Sequence, residues 1–514
     1  MHAIPEIRKD EKGIPTLYID GAPFFCYSGE VHNSSASYPA YMEKTVWPAV
    51  RRIGLNSVIL PVYWEQIEET EGTYCFDVLD EVIAQARREN VKLILLWFGL
   101  WKNSESMYVP GWMKRDTEKY FRVIRADGRA NNSISPLCAA AVEKDKAAFT
   151  ALMTHLRDTD SKDRTVIIIQ MENEIGTMGS DRDYSEAAEE AFYGAIPAAL
   201  AELTGRNGTW REVYGENAAE SFMAAAYAAA VEKITSAGRE IYPLPCYVNA
   251  WLYQYPWYPG SYPVGGPVKQ VHPIWKCLAP SLFTVGPDIY VPDVADVMDA
   301  YSYDGNPLFI PEIRKDAVAA SYCLYAFAAK NAIGFSPFGF EDLILDPDEI
   351  QKPPMEVMIA LNIDPSAIDI TGSCDCLAAS YSLMKEMEPI LLKYRGTESI
   401  KAFVKHGDTD FGTYLKFSSC DVLAAYKPKE AAKPLPAGFV IEEEEDTFLV
   451  GGFRSTLKFM PKSGDRRTVG LISIEEGHLE NGIFIRERIL NGDENMSIGF
   501  GDMPSCLRVK LFHY

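Results

Sequence analysis

The chain has 514 residues, 47% of them hydrophobic and 12% aromatic. That is too long for one small domain and fits a barrel of ~250 residues or more with an appended domain. Its 72 acidic residues against 50 basic ones leave a net charge of -22, which argues against nucleic acid or an anionic membrane surface as a partner.

The opening residues, Met1 to Asp10, contain no apolar stretch of the signal-peptide type. No window approaches the ~18 consecutive apolar residues of a membrane-crossing helix. Of the ten cysteines, Cys26, Cys246 and Cys323 lie within apolar runs. This scatter suits reduced, buried thiols better than a disulfide framework, so a cytoplasmic location is expected. Cys374 and Cys376 form a close pair, but no second pair at metal-site spacing accompanies them. Sequons at Asn33, Asn207 and Asn495 mean little without a secretion signal.

From about residue 15 to 345, apolar strand-like runs alternate with amphipathic helical stretches, the pattern of a parallel α/β fold. The predicted strands, in chain order, are 24–29, 57–62, 93–98, 166–171, 246–249, one close to 289–291, 308–310 and 332–336. Eight strands separated by helices predict a (β/α)8 TIM barrel. Helical spacing is found over 39–53, 78–88 and the alanine-rich 216–237. Long polar and aromatic segments at about 102–137 and 250–285 interrupt the repeat, and loops of that length are uncommon unless functional. The second one contains Trp251, Tyr253, Tyr255, Trp257 and Tyr258, faces suited equally to stacking on sugar rings or to packing as a lid.

After about residue 375 the pattern changes. A helix over 378–394 precedes short alternating segments such as 448–450 and 468–474, separated by turns rich in Gly, Asp and Asn. The expected division is therefore a catalytic barrel over 1–372 and a helix followed by an antiparallel β domain over 373–514. The acidic run 442–446 reads as a solvated loop. The hexapeptide Pro-Glu-Ile-Arg-Lys-Asp occurs at both 5–10 and 311–316. Only the second copy follows an apolar strand, so the first reads as coincidence.

Two carboxylates stand at predicted strand ends. Glu174 follows Val166-Ile167-Ile168-Ile169 through Gln170, Met171, Glu172 and Asn173, and Glu312 follows Leu308-Phe309-Ile310-Pro311. Residues at the C-terminal ends of barrel strands face the active site. Cleaving a glycosidic bond requires one protonated carboxyl and one ionised carboxylate, kept apart in pKa by environment and mutual repulsion. Glu174 is the candidate acid/base and Glu312 the candidate nucleophile. A separation of ~5–5.5 Å across the barrel mouth would mean retention of configuration. Asn173 is placed to hydrogen-bond the substrate 2-hydroxyl, and Tyr290 to donate to Glu312. Glu172 alternates with Glu174, so both are expected to point the same way and chemistry alone does not choose between them.

These segments resemble the retaining glycosidases of clan A, and within it the short-form family 35 β-galactosidases. Ser28-Gly29-Glu30-Val31-His32 resembles that family's first-strand Ser-Gly-x-x-His segment. The stretch from Val62 to Gly72 resembles its second-strand Trp-x-x-x-Glu-x-x-x-Gly, and Gln170 to Gly176 resembles its acid/base segment. The resemblance selects Glu174 over Glu172. It implies a substrate-binding set of Asn173, His32, Tyr63, Trp101, Asn103, Glu105 and Tyr290. Where better-known members end the third strand in Cys-Ala-Glu-Trp, this chain has Lys102-Asn103-Ser104-Glu105-Ser106. Glu105 is then the candidate for the galactose 4- or 6-hydroxyl, and Trp101 for a wall of the sugar subsite.

Bland alternatives stand beside each reading. Glu174 could be a buried carboxylate satisfied by an arginine, and Glu312 an ion-pair partner of Arg314. His32, Tyr63 and Trp64 could be structural packing residues, and Glu65 and Glu341 have less support as site residues. The seven histidines include no metal-binding spacing, and no Walker, dinucleotide or serine-nucleophile signature is present. The expected protein is a cofactor-independent retaining exo-β-glycosidase, most simply a β-galactosidase acting on oligosaccharides, with self-association open. The alternatives are another β-glycosidase, a transglycosylase or a glycan-binding pseudoenzyme.

Overall fold

The computed structural model describes residues 3–350 and 352–514. Met1, His2 and Gln351 lie outside the described residues, as does the side chain of Asn495. Eight parallel strands close into a barrel. They are β1 (Cys26–Glu30), β2 (Ser57–Tyr63), β3 (Lys92–Lys102), β4 (Val166–Asn173), β5 (Cys246–Ala250), β6 (Leu282–Ile289), β7 (Phe309–Ile313) and β8 (Gly334–Pro337). Each pairs with the next, and β8 closes on β1 through Gly334 opposite Cys26 and Phe335 opposite Tyr27. Runs such as Leu93–Leu96 and Val166–Ile169 are fully buried. That burial on both faces is why they read as unbroken apolar strings.

Two strands differ from the sequence expectation. The sixth runs over Leu282–Ile289 rather than near 289–291. Gly286 and Pro287 interrupt its apolar pattern. The backbone needs that glycine, since a Cβ there would lie 2.7 Å from Pro311 Cδ and 2.8 Å from Phe309 O on the neighbouring strand. The seventh extends to Ile313, so Glu312 lies within the strand instead of after it.

β3 is the longest barrel strand and the most irregular. Trp97 pairs with Met171, but the next pair on β4 is Lys102 with Asn173. Residues Phe98 to Trp101 therefore bulge out of register, which bends a strand and re-aims its side chains. Two buried carboxyls hold the bulge. Glu172 accepts from the backbone N–H groups of Leu100 (3.1 Å) and Trp101 (2.8 Å). Asp145, on the helix Ala139–Asp160, accepts from Leu100 N–H at 3.0 Å and from Trp97 Nε1 at 2.8 Å.

Behind the barrel, the helix Ser373–Tyr394 lies against β1 and β8. Its Tyr381 hydroxyl is 2.7 Å from Ser28 O and 2.9 Å from Phe335 O. A six-stranded antiparallel sheet follows, in the order Ile400–Val404, Ala437–Glu444, Thr447–Phe453, Ser505–His513, Val469–Glu480 and Ile483–Leu490. A four-stranded sheet faces it, and the two enclose a second core containing Phe417, Val422, Phe448, Leu457 and Val509. The acidic run 442–446 is not a free loop. Glu442 to Glu444 finish a strand, and Asp446, at φ 62°, turns the chain into the next.

Gly99 sits at the centre of the β3 bulge. A Cβ there would lie 2.4 Å from Trp97 Nε1, 2.5 Å from Asp145 Oδ2 and 2.7 Å from Glu172 Oε1. Gly99→Ala is therefore expected to destabilise the protein by about 1–3 kcal/mol, seen as a lower urea midpoint at unchanged m-value. An unchanged midpoint would show that the bulge relaxes freely.

Candidate active site

The C-terminal ends of β1, β3, β4, β5, β6 and β7 bring one set of polar side chains into the barrel mouth. At the end of β4 the backbone turns sharply, with Glu172 at φ 58° and Glu174 at φ 45°. Left-handed φ is uncommon for residues other than glycine and marks imposed geometry. It also breaks the alternation expected of a regular strand. Glu172 thus points to the β3 bulge, and the expectation that it shares a face with Glu174 is corrected. Burial and then the neighbouring Asp145 hold the Glu172 carboxyl well above the ordinary range, while burial pushes Asp145 up to about 6 against the lowering hydrogen bonds from Glu172, Trp97 and Leu100.

Glu174 and Glu312 are joined by asparagines. The Glu174 backbone N–H donates to Asn249 Oδ1 at 2.8 Å, and Asn249 Nδ2 lies 3.4 Å from Glu312 Oε1. Asn173 Nδ2 donates to the same oxygen at 3.1 Å, and the Tyr290 hydroxyl donates to Glu312 Oε2 at 2.8 Å. Three donors therefore converge on the Glu312 carboxyl. Arg314 does not reach it. Its guanidinium pairs with Asp316 (2.7 Å) and Asp364 (2.9 Å).

Four groups of this cluster were not singled out by the sequence reading. Asp288 lies on β6 directly opposite Glu312 on β7, and accepts from Asn249 Nδ2 at 2.7 Å. Glu30 closes β1 and is 1% exposed. Lys102, carried to the mouth by the β3 bulge, donates to Asn173 Oδ1 at 2.8 Å and bonds Asn103. Asn249 is the fourth, and its signal was available: a polar residue ending an apolar strand. Asp288 was hidden by the misplaced sixth strand, and Lys102 by an irregularity with no sequence signature.

Electrostatics follow from this crowding. Burial and then the charge of Glu312 push the Glu174 carboxyl up to about 8, while Lys102 and a hydrogen bond from Asp288 oppose the rise. Glu30 and Asp288 are held well above the ordinary carboxyl range, first by burial and then by the neighbouring carboxylates, again with Lys102 opposing. Glu30 Oε2, Asp288 Oδ1 and Glu341 Oε2 are buried without a protein partner. Buried polar atoms are normally satisfied, and these three stand out because they belong to carboxyls at or beside the barrel mouth.

The remaining expected residues fall around the rim or below it. His32 Nε2 bonds Asp342 Oδ2 at 2.8 Å, and Glu341 Oε1 accepts from the His32 backbone (2.9 Å) and Ser35 Oγ (2.7 Å). Tyr63 is buried against Phe98 and Tyr108. Asn103, at φ 50°, is half-buried beside Lys102. Glu105 turns outward to Asn132 Nδ2 at 3.1 Å. Trp101 requires a correction, because it is 0% exposed, donates to Ile134 O and packs edge-on against Tyr227. The bulge directs it into the core, so it offers no face to a sugar.

Two measurements test these electrostatics. The raised pKa of Glu174 stabilises the fold fully below the ordinary value of 4.5, and that contribution is lost as pH rises through about 8. Glutamine does not titrate, so the stability advantage of Glu174→Gln over the wild type should widen from pH 4.5 to about 8, on the order of a few kcal/mol at most. A constant gap in urea midpoints would contradict it. Lys102→Met removes the cation opposing the rise, so the pH at which activity declines on the alkaline side should move upward by up to about one unit. An unmoved limb would show that Lys102 acts only structurally.

Residues 16–242 match the model of glycosyl hydrolases family 35, and residues 377–500 match a domain of unknown function (DUF5597). The first match spans β1 to β4 and includes Glu174, while Glu312 lies beyond it. No curated protein matches the chain. Among solved structures, a β-galactosidase from the psychrophilic Marinomonas ef1 is 14% identical, over 70% of this chain and 68% of its own, with a TM-score of 0.46. A β-galactosidase from Bacillus circulans sp. alkalophilus is 12% identical over 94% and 99%, with a TM-score of 0.49. The catalytic domain of a β-amylase from Paenibacillus polymyxa is 12% identical over 62% and 93%, with a TM-score of 0.47. Likenesses this distant carry no functional weight beside the family match. On that match, which covers the first four strands of the barrel, the chain is a glycoside hydrolase resembling glycosyl hydrolases family 35.

Proposed function

We propose that the protein is a retaining exo-β-glycosidase, and specifically a β-galactosidase that releases terminal β-galactose from oligosaccharides. The observation that carries this reading is the pairing of unlike carboxyls. Glu174 is held protonated up to about pH 8, and the asparagine-bridged Glu312 is met by three donors. Direct hydrogen-bonded links between the two strand ends support the short carboxyl separation of a retaining pair rather than the wider gap that admits a water.

In the first half-reaction a Glu312 oxygen attacks the anomeric carbon while Glu174 passes its proton to the glycosidic oxygen. The bond to the leaving sugar breaks and a glycosyl ester forms on Glu312. In the second, ionised Glu174 takes a proton from water, whose oxygen attacks the anomeric carbon and frees Glu312. Tyr290 and Asn173 orient the nucleophile. The proton affinity of Glu174 would cycle with the charge of Glu312, because esterification removes the carboxylate that helps raise it.

Sugar recognition would fall to the unpaired oxygens of Glu30, Asp288 and Glu341 and to the rim residues His32, Asn103 and Tyr63. Protonated Glu30 and Asp288 can donate as well as accept, which suits a ring of hydroxyls. The ten cysteines are all unpaired, which supports a reducing compartment, and no described helix is long and apolar enough to cross a membrane. The barrel's core continues through the helix Ser373–Tyr394 and one face of the six-stranded sheet, so the part proposed as a second domain, 373–514, packs against the back of the barrel and adds a smaller core of its own.

A panel of nitrophenyl glycosides, with product anomers followed by NMR, tests the reading. Release from the β-galactoside with retained configuration is expected. Glu312→Gln should lose at least ~10³-fold in kcat. Glu174→Gln should lose about 10²–10⁴-fold on substrates whose leaving group needs a proton. An inverted product would overturn the nucleophile, and cleavage of another β-sugar would change the specificity while leaving the mechanism in place.

A further inference from the structure

The segment joining β5 to β6 carries a cluster of aromatic rings into solvent. Tyr255 is 66% exposed, Trp257 54% and Tyr258 61%, with Tyr253 at 36%. Among the described residues Trp257 is the one tryptophan this open, the others being buried or half-buried. Each ring left in water forgoes burial worth about 25 cal/mol per Å². Isolated exposed apolar residues are ordinary, but a contiguous patch marks a contact surface.

The rings are held in place by the loop itself. Tyr253 donates its hydroxyl to Trp257 O at 3.1 Å, and Trp257 N–H donates to Gln254 O at 2.8 Å. Ser261 bonds Tyr258 O through both its backbone N–H (3.0 Å) and its Oγ (2.7 Å). Tyr253 packs edge-on against buried Tyr262, whose hydroxyl donates to Glu220 Oε1 at 2.9 Å. Tyr255 and Trp257 meet at right angles with centroids 5.1 Å apart, so they present two differently oriented faces.

The base of this loop is stitched to the segment that follows Glu174. Thr177 and Val264 exchange backbone hydrogen bonds at 3.0 and 2.9 Å, and Gly179 N–H donates to Gly260 O at 2.9 Å. Contact is close enough that a Cβ on Gly176 would lie 2.5 Å from Pro263 Cβ, and one on Gly266 2.0 Å from Ile175 O. The base of the aromatic loop therefore lies against the segment that directly follows the acid. The acid protonates the oxygen of the departing group, so what extends past Glu174 is the leaving part of the substrate. No charged residue occurs between Trp251 and Tyr262, which fits an uncharged occupant.

We infer that Tyr253, Tyr255, Trp257 and Tyr258 form a stacking platform for a neutral oligosaccharide leaving group, engaging pyranose rings beyond the bond that is cut. The inference rests on the assignment of Glu174 as acid and on the galactosidase reading. Pyranose rings present C–H groups on their faces, and the electron-rich face of an aromatic ring attracts such groups. By analogy with aromatic pairs, one ring supplies about 2- to 12-fold in binding.

The test compares kcat/KM for two probes, β-1,4-galactotetraose and methyl β-galactoside. The wild type is expected to favour the tetraose. Trp257→Ala should lower the ratio of the two by about 2- to 12-fold, the Tyr255→Ala/Trp257→Ala pair should lower it further, and Trp257→Phe should restore most of it. Equal preference for both probes in the wild type overturns the platform. So does an unchanged ratio in the double variant, or a parallel loss on both probes. Galactose released from neither probe overturns the galactosidase reading itself, and the platform with it.

Discussion

Burying several carboxyl groups around a single ammonium group is the constraint on which the site depends. Glu30, Glu174, Asp288 and Glu312 end neighbouring or facing strands, and Lys102 is the cation that opposes the rise in proton affinity of Glu30, Glu174 and Asp288. Ionising all four in so dry a space would be too costly, so part of the cluster holds protons at neutral pH. The same crowding that threatens stability sets the environments of these groups apart. Glu312 is met by three donors, whereas Glu174 receives no such set and its carboxyl is pushed up to about 8, the contrast on which the proposed acid and nucleophile rest.

Lys102 reaches this place because β3 is irregular. A regular strand ending at the same residue would carry the side chain to a different level of the barrel. Holding the bulge requires donors and acceptors for backbone groups that have left the sheet ladder, and Glu172 and Asp145 provide the acceptors. Gly99 leaves room for both carboxyls. Thus a second buried carboxyl pair, which does not face the barrel mouth, sets the position of the cation that does. Strain at Glu172 and Glu174 belongs to the same arrangement, since two left-handed residues in three send these two glutamates in different directions.

The part of the chain after residue 373 acts through packing. Tyr381 binds carbonyls of both strands at the barrel seam, and Ser321 Oγ donates to Leu435 O across to the antiparallel sheet. The Tyr381 bonds satisfy buried carbonyls where β8 closes on β1 through a short ladder, Gly334 with Cys26 and Phe335 with Tyr27.

The sequence by itself determined the eight-stranded barrel, because strands buried on both faces must be apolar throughout, and Val166–Ile169 or Leu93–Leu96 admit few other readings. It also brought Glu174, Glu312, Asn173 and Tyr290 together as candidates, since polar residues at the ends of such strands have a restricted range of positions, with family resemblance choosing Glu174 over Glu172. Only the tertiary structure decided the roles of Trp101, Glu172 and Lys102. Their directions depend on a register shift and on two positive φ angles, which arise from contacts with Asp145 and β4 far away in the chain. Asp288 was obscured for a related reason: Gly286 and Pro287 look like a strand end, yet the close approach of Pro311 and Phe309 keeps them inside one. Periodicity reports which face of an element is buried, and it carries no record of where the element bends.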